Sequence, residues 1–173
     1  KIEGYCPDPL FSEQVESKVA AASTIPMFHF PLIISKNPSP PGGVIFGLRQ
    51  PSLIVAINNS GAVDVGMKIV FKANGTLYGP SLINVDTQKY FKVNKTMQAG
   101  EEIMIDTIIG EKKIQGTLNG ITSNYFKYRD LDSEWLQLKV GDNLFRYDAD
   151  ENVEKLEVSI YFNNKYLEVQ ECY

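Results

Sequence analysis

Histidine is nearly missing from this chain. There is one, His29, among 173 residues. A Ser-His-Asp or Cys-His nucleophile system has to draw on it. It stands between two phenylalanines in Pro26-Met-Phe-His-Phe-Pro31, the setting of a packed or strand-edge imidazole. Cysteine is almost as scarce, with Cys6 and Cys172 near opposite ends. Zinc takes about four ligands at close spacing, so no metal site is expected. The plain reading of the two thiols is reduced and structural; nothing in the sequence favours a disulfide joining the termini.

Basic clusters are missing too. The longest is Lys112-Lys113, and the formal net charge is −4. Nucleic-acid binders draw most of their affinity from phosphate neutralisation, so no nucleic-acid partner is expected. No apolar run is long enough to cross a bilayer. The most apolar stretch, residues 25–34, is broken by Pro26, His29 and Pro31, and membrane insertion is not expected. Neither a P-loop nor a G-x-G-x-x-G fingerprint is present, and no cofactor is expected. The opening Lys1-Ile-Glu-Gly-Tyr5 is not a signal peptide and has no initiator Met, which suggests a chain that begins inside a longer gene product. Three Asn-x-Ser/Thr sequons, at Asn58, Asn74 and Asn94, are of a kind that arises readily by chance.

What is present is the composition of a folded domain. Hydrophobic residues make up 43% and charged residues 22%, enough to bury a core. Tyr and Phe, nine of each, suit strands. Residues 1–43 read as an arm or linker and the end of a preceding domain. Cys6-Pro-Asp-Pro9 is rigid and turn-prone. Within residues 11–22, Phe11, Val15 and Val19 recur at i+4, which predicts a short amphipathic helix capped by Ser12, with Glu13 and Glu16 in its first turn. Pro26, Pro31, Pro38, Pro40 and Pro41-Gly42-Gly43 then predict an extended, turn-rich segment.

Residues 44–173 read as a separate β-sandwich domain. Leu53, Val55 and Ile57 alternate with Ile54 and Ala56; Met67, Ile69 and Phe71 alternate with Lys68, Val70 and Lys72. Further strands are expected at 82–86, 90–93, 102–107, 113–118, 135–140, 144–147 and 156–162. Asn74-Gly75 and Asn119-Gly120 supply the positive φ of two-residue hairpins. About ten short strands and one helix predict an all-β fold of two antiparallel sheets, a sandwich or jelly roll.

Chemistry is sparse along these strands. Asp130, Asp132 and Glu134 could supply the two facing carboxylates of a glycosidase; the plainer reading is a polar loop before the strand of Leu136 and Leu138. Asp148-Ala-Asp-Glu-Asn152 resembles a calcium loop but lacks Gly at the sixth position and an acidic residue at the twelfth, which is Ser159. A solvated turn is the plainer account. Trp135, the single tryptophan, reads as core, or, if exposed on a concave sheet, as a platform for a sugar ring. Tyr125 and Tyr128 are the other candidate carbohydrate contacts.

Several phrases occur in a telling order. They are Cys6-Pro-Asp-Pro-Leu-Phe11, Met97-Gln-Ala-Gly-Glu-Glu-Ile-Met-Ile-Asp-Thr107 and the lysine-bearing hairpin after Gly110. Then follow Leu131-Asp-Ser-Glu-Trp-Leu-Gln-Leu-Lys-Val-Gly-Asp-Asn143, Tyr147, and Val158-Ser-Ile-Tyr-Phe162 with Tyr166-Leu167. In this order the chain resembles the C-terminal domain of siphophage distal tail proteins, found in phages and prophages of Gram-positive bacteria. The resemblance implies a galectin-like sandwich and a structural, non-enzymatic component of the tail tip or baseplate. It implies other tail and baseplate proteins as partners, and a virion location after synthesis in the bacterial cytoplasm. A homo-oligomeric ring is implied for the full-length protein, built by an N-terminal domain that this chain essentially lacks. The competing expectation is a carbohydrate-binding module for cell-wall polysaccharide, since fold alone does not fix function.

Overall fold

A computed structural model of the chain describes residues 10–13, 15–20, 22–26, 47–51 and 53–167. His29, Cys6 and Cys172 lie outside these residues, as does most of the expected proline-rich segment. Chain order begins with β1 (Phe11–Ser12), β2 (Ser17–Ala20), β3 (Ala22–Pro26), β4 (Gly47–Pro51) and β5 (Ile54–Asn59). There follow β6 (Val65–Gly66), β7 (Lys68–Ala73), β8 (Leu77–Tyr78), β9 (Ser81–Asn84), β10 (Tyr90–Lys92), β11 (Thr96–Met97) and β12 (Glu102–Asp106). The last are β13 (Lys113–Leu118), β14 (Ile121–Asn124), β15 (Gln137–Leu138), β16 (Gly141–Asp148), β17 (Leu156–Phe162) and β18 (Lys165–Tyr166). Two single-turn 3₁₀ helices, Phe126–Tyr128 and Val153–Lys155, are the helical elements among the described residues.

Two antiparallel sheets carry the architecture. One has six strands in the order β14-β13-β12-β7-β17-β2, the other four in the order β10-β9-β16-β5. The alternation read in the sequence becomes the two faces of these sheets. Along β17, Leu156, Val158, Ile160 and Phe162 are buried while Glu157, Ser159 and Tyr161 are half-buried on the outer side. Ile69, Phe71, Ile103, Ile105 and Ile160 from the six-stranded sheet join one core with Leu82, Phe91, Phe145 and Tyr147 from the four-stranded sheet. Burying one such side chain contributes about 1.5–3 kcal/mol. The outer face of the larger sheet is polar, and Lys72 pairs there with Glu102 at 3.1 Å. The all-β sandwich expected from the sequence is the fold found.

The short helix over residues 11–22 is not found. β1 and β2 lie there, and β3 begins there. β2 extends the six-stranded sheet by pairing with β17, Val19 opposite Ile160. The i+4 spacing misleads because its apolar members do not share a buried face: Phe11 and Val15 are exposed and Val19 is half-buried. An isolated helix of this length is marginal. The open edge of β17 offers a ladder of backbone partners to a segment whose valines favour strands.

The hairpin turns divide likewise. Asn119 and Gly120 have φ of 51° and 79° and join β13 to β14, as expected. Asn74-Gly75 is not a hairpin turn. It carries the chain out of β7, whose neighbours are β12 and β17, toward β8, which pairs with β11. The Asn74 N–H donates to the Lys155 carbonyl at 2.8 Å.

Candidate interaction surface

Residues 125–136 run along the free edge of β10. Asp130 N–H donates to the Lys92 carbonyl (3.1 Å), Glu134 N–H to the Tyr90 carbonyl (2.9 Å) and Asn94 N–H to the Tyr128 carbonyl (2.8 Å). The Lys92 N–H donates to Ser133 Oγ at 2.8 Å, and the Arg129 guanidinium donates to the Ser133 carbonyl. An edge strand is thereby covered rather than left open for pairing.

This segment carries the three candidate aromatics. Tyr125 and Tyr128 meet edge-on, their ring centroids 5.4 Å apart. Gly116 on β13 makes room for them, since any Cβ there would overlap the Tyr125 ring. Lys95 Nζ lies 4.9 Å from the Tyr125 centroid and 5.8 Å from that of Tyr128, and it pairs with Glu101 at 2.6 Å. Glu101 is fully buried and accepts also from the Gln98 N–H at 3.0 Å and the Tyr125 hydroxyl. Burial, the largest influence, pushes the Glu101 carboxyl up. The Lys95, Gln98 and Tyr125 donors together outweigh it and hold the carboxyl below its ordinary value. Burial and then the Glu101 carboxylate push the Tyr125 hydroxyl up.

Trp135 sits half-buried against the core. Its ring lies 5.1 Å from Phe91 and 6.0 Å from Phe126, with Lys112 Nζ at 5.4 Å and Arg129 Cζ at 5.6 Å. All three candidate rings are thus already engaged by protein side chains. Phe126 is the more open ring, 48% exposed.

Four of the nearby carboxylates, Asp130, Glu134, Asp148 and Asp150, are also engaged. Asp130 accepts from Asn94 Nδ2 (2.8 Å) and the Tyr90 hydroxyl (3.1 Å), and the Asn94 bond is the main cause holding its carboxyl below the ordinary value. A general acid needs the opposite shift. Glu134 pairs with Lys89 at 2.6 Å. Asp150 pairs with Lys92 at 2.8 Å, and Asp148 with Arg146 at 3.5 Å. The fold brings the two acidic segments together around one groove of about 340 Å³, with Asp130 and Asp132 on one side and Asp148 and Asp150 on the other. No group of three or more His, Cys, Asp or Glu side chains is placed to hold a metal ion among the described residues.

Sequence reasoning missed a second polar cluster, at the N-terminal end. β1 pairs with β18, Phe11 opposite Tyr166. Glu13 accepts from the Tyr166 hydroxyl at 2.9 Å and from Asn164 Nδ2, which is 3.2 Å from both carboxylate oxygens. Glu16 pairs with Lys68 at 2.9 Å, and that hydrogen bond raises the lysine's pKa above its usual value. The acidic side chains read as a helix's first turn are instead the fasteners of an extended strap. Their partners lie as far as 153 positions away, so no local pattern reveals them.

The family model for the siphovirus-type tail component, C-terminal domain, matches residues 60–166, more than half of the chain. The chain belongs to this family. The match runs from just after β5 to β18, and members of the family are structural virion proteins of the phage tail. Among solved structures the chain is similar to SPP1 Dit (gp 19.1), described as a paradigm of the hub adsorption apparatus in phages infecting Gram-positive bacteria. The TM-score is 0.62 at 16% identity, over 94% of this chain and 51% of that one. At this identity the likeness is one of fold. The baseplate of phage P2 in its activated conformation with calcium is similar at a TM-score of 0.46 and 13% identity, over 88% of this chain and 54% of that one. The chain spans about half the length of the solved chains it matches. Comparison with curated protein sequences gives no match.

Proposed function

We propose that this chain is a non-catalytic interaction module at the tail tip, the C-terminal domain of a distal tail protein, held by other tail and baseplate proteins. The observation that carries this reading is the family match across residues 60–166. The polar chemistry supports it. Glu101, Glu134 and Asp150 each pair with a lysine, and Asp130 is held by Asn94 and Tyr90. The ring belongs to the full-length protein and is built by a domain outside this chain. Antibodies raised against residues 44–173 should label the tail tip of intact phage particles in negative-stain electron microscopy. Label along the tube, or in the particle-free supernatant alone, contradicts the proposal.

A second reading takes the domain as a binder of cell-wall polysaccharide through Trp135, Tyr125 and Tyr128. The half-exposed Phe126 beside Trp135 is the observation in its favour. Titration with solubilised wall glycans should then quench or shift Trp135 fluorescence. A spectrum unchanged across the panel sinks it.

A further inference from the structure

Two sheet edges of the sandwich are finished differently. Residues 125–136 cover β10 through backbone hydrogen bonds at Tyr90 and Lys92. β14 pairs with β13 alone, and all four of its residues, Ile121 to Asn124, are exposed. The Tyr125 N–H donates to the Ile114 carbonyl at 2.9 Å, and Thr122 stands opposite Thr117. In an antiparallel ladder, hydrogen-bonded and non-hydrogen-bonded pairs alternate. Ile121 and Ser123 therefore bond toward β13, while the N–H and C=O groups of Thr122 and Asn124 point away from it. Those outward groups have no backbone partner among the described residues. The strand reads Ile-Thr-Ser-Asn, with no proline and no charge to discourage pairing. Ile121, 72% exposed, lies opposite half-buried Leu118 on one face of the hairpin and offers an apolar contact to an incoming side chain.

We propose that β14 receives an extended, acidic segment of another tail protein as an added strand. The proposal deepens the interaction-module reading and rests on it. Strand addition takes its affinity from main-chain hydrogen bonds and selects its partner through side chains. The outward N–H and C=O groups of Thr122 and Asn124 supply the first. The selecting side chains stand at the end of the hairpin away from its Asn119-Gly120 turn. Lys112, just before β13, lies over the Trp135 ring at 5.4 Å, and Lys127, just after β14, over the Tyr128 ring at 4.9 Å. Lys72, Lys89, Lys92, Lys95 and Lys113 each pair with a carboxylate. Lys112 and Lys127 are exposed and have no carboxylate partner among the described residues. Two cations without counter-charge at one end of an open strand favour an acidic residue in the added chain. A second copy of β14 does not supply one. Paired antiparallel about a two-fold axis, it would set the Lys112 and Lys127 end of one copy beside the 118–121 turn of the other. That turn is Leu-Asn-Gly-Ile and holds no carboxylate.

Photo-crosslinking in assembled phage particles carrying the full-length protein tests this. p-Benzoylphenylalanine replaces Thr122 in one variant and Ile121 in a second, both exposed, so that one misfolding variant does not decide the outcome. Leu131, 90% exposed, is the control position. Position 121 or 122 should give a product with a different tail protein, and the linked peptide should contain Asp or Glu. That product should be at least tenfold more abundant than from position 131. Adding Lys112→Glu together with Lys127→Glu should lower it at least tenfold. Four outcomes overturn the proposal: linkage to a second copy of this chain, a linked peptide without an acidic residue, equal yields at all three positions, or a yield that the two charge reversals leave unchanged. Antibody label at the tail tip together with any of these leaves the interaction-module reading intact and removes this contact alone.

Discussion

The sandwich heart and the strap are both β-structure, yet they are held by different physics. In the heart, β7 lies between β12 and β17, and Ile69 and Phe71 are fully buried. In the strap, residues 11–20, Phe11 and Val15 stay exposed, and edge pairing with β18 and β17 together with a few polar side-chain contacts holds the segment. Burial of apolar area sums over many contacts and tolerates little loss. A surface clasp contributes modestly and can open locally while the rest stays folded. The difference places the rigid scaffold in one region and the more readily opened segment in the other.

Phe71→Ala should break the heart. A fully buried phenylalanine removed from between two sheets costs about 3–5 kcal/mol, read as a fall in the urea midpoint with the slope unchanged. A loss under about 1 kcal/mol would show that the core does not depend on this strand.

Glu101→Gln probes the boundary between the two kinds of holding, because a charge is buried there. At neutral pH it should cost about 1–3 kcal/mol by weakening the partners of Lys95, Gln98 and Tyr125. The pH dependence has a definite sign. The folded Glu101 pKa is depressed, so its stabilisation is fully present above the unfolded glutamate value of about 4.3. It is lost as pH falls through the lower folded value. The wild-type protein should therefore lose more stability than Glu101→Gln between pH 5 and the acid transition. Parallel acid limbs would remove Glu101 from the account.

Glu13→Gln should have the smallest global effect, under about 1 kcal/mol. It keeps the shape but weakens the bonds to Asn164 and Tyr166. Hydrogen exchange should then quicken at the backbone amides of residues 11–20 and stay unchanged in β7 and β12. Uniform quickening across both regions would erase the distinction between them.

The same contrast governs what could be read from the sequence. The strands at 113–118 and 156–162 have the expected bounds, because alternation along them is a direct imprint of a two-faced sheet. Asn119-Gly120 is legible because positive φ at both positions has a narrow residue preference. The strand expected at 135–140 shrinks to Gln137–Leu138, while that expected at 144–147 grows to Gly141–Asp148. Pairing partners set those ends: β15 meets only the two residues of β6, while β16 lies between β5 and β9. The strap has a helix-like spacing and its strand character is hidden from local pattern, because its ladder partner, β17, lies some 140 positions away. Of the candidate aromatics, the cluster of Tyr125 with Tyr128 has a local origin, three positions apart around one 3₁₀ turn. Their link to Lys95, Glu101 and Gly116 comes only from the fold.

The central claim is that this chain is a structural sandwich domain of a phage tail tip. Cryo-electron microscopy of intact particles tests it most directly. The account predicts density at the tail tip into which the six- and four-stranded sheets fit as one body. Tail-tip density that accommodates no such sandwich, in particles whose protein content includes this chain, would contradict it.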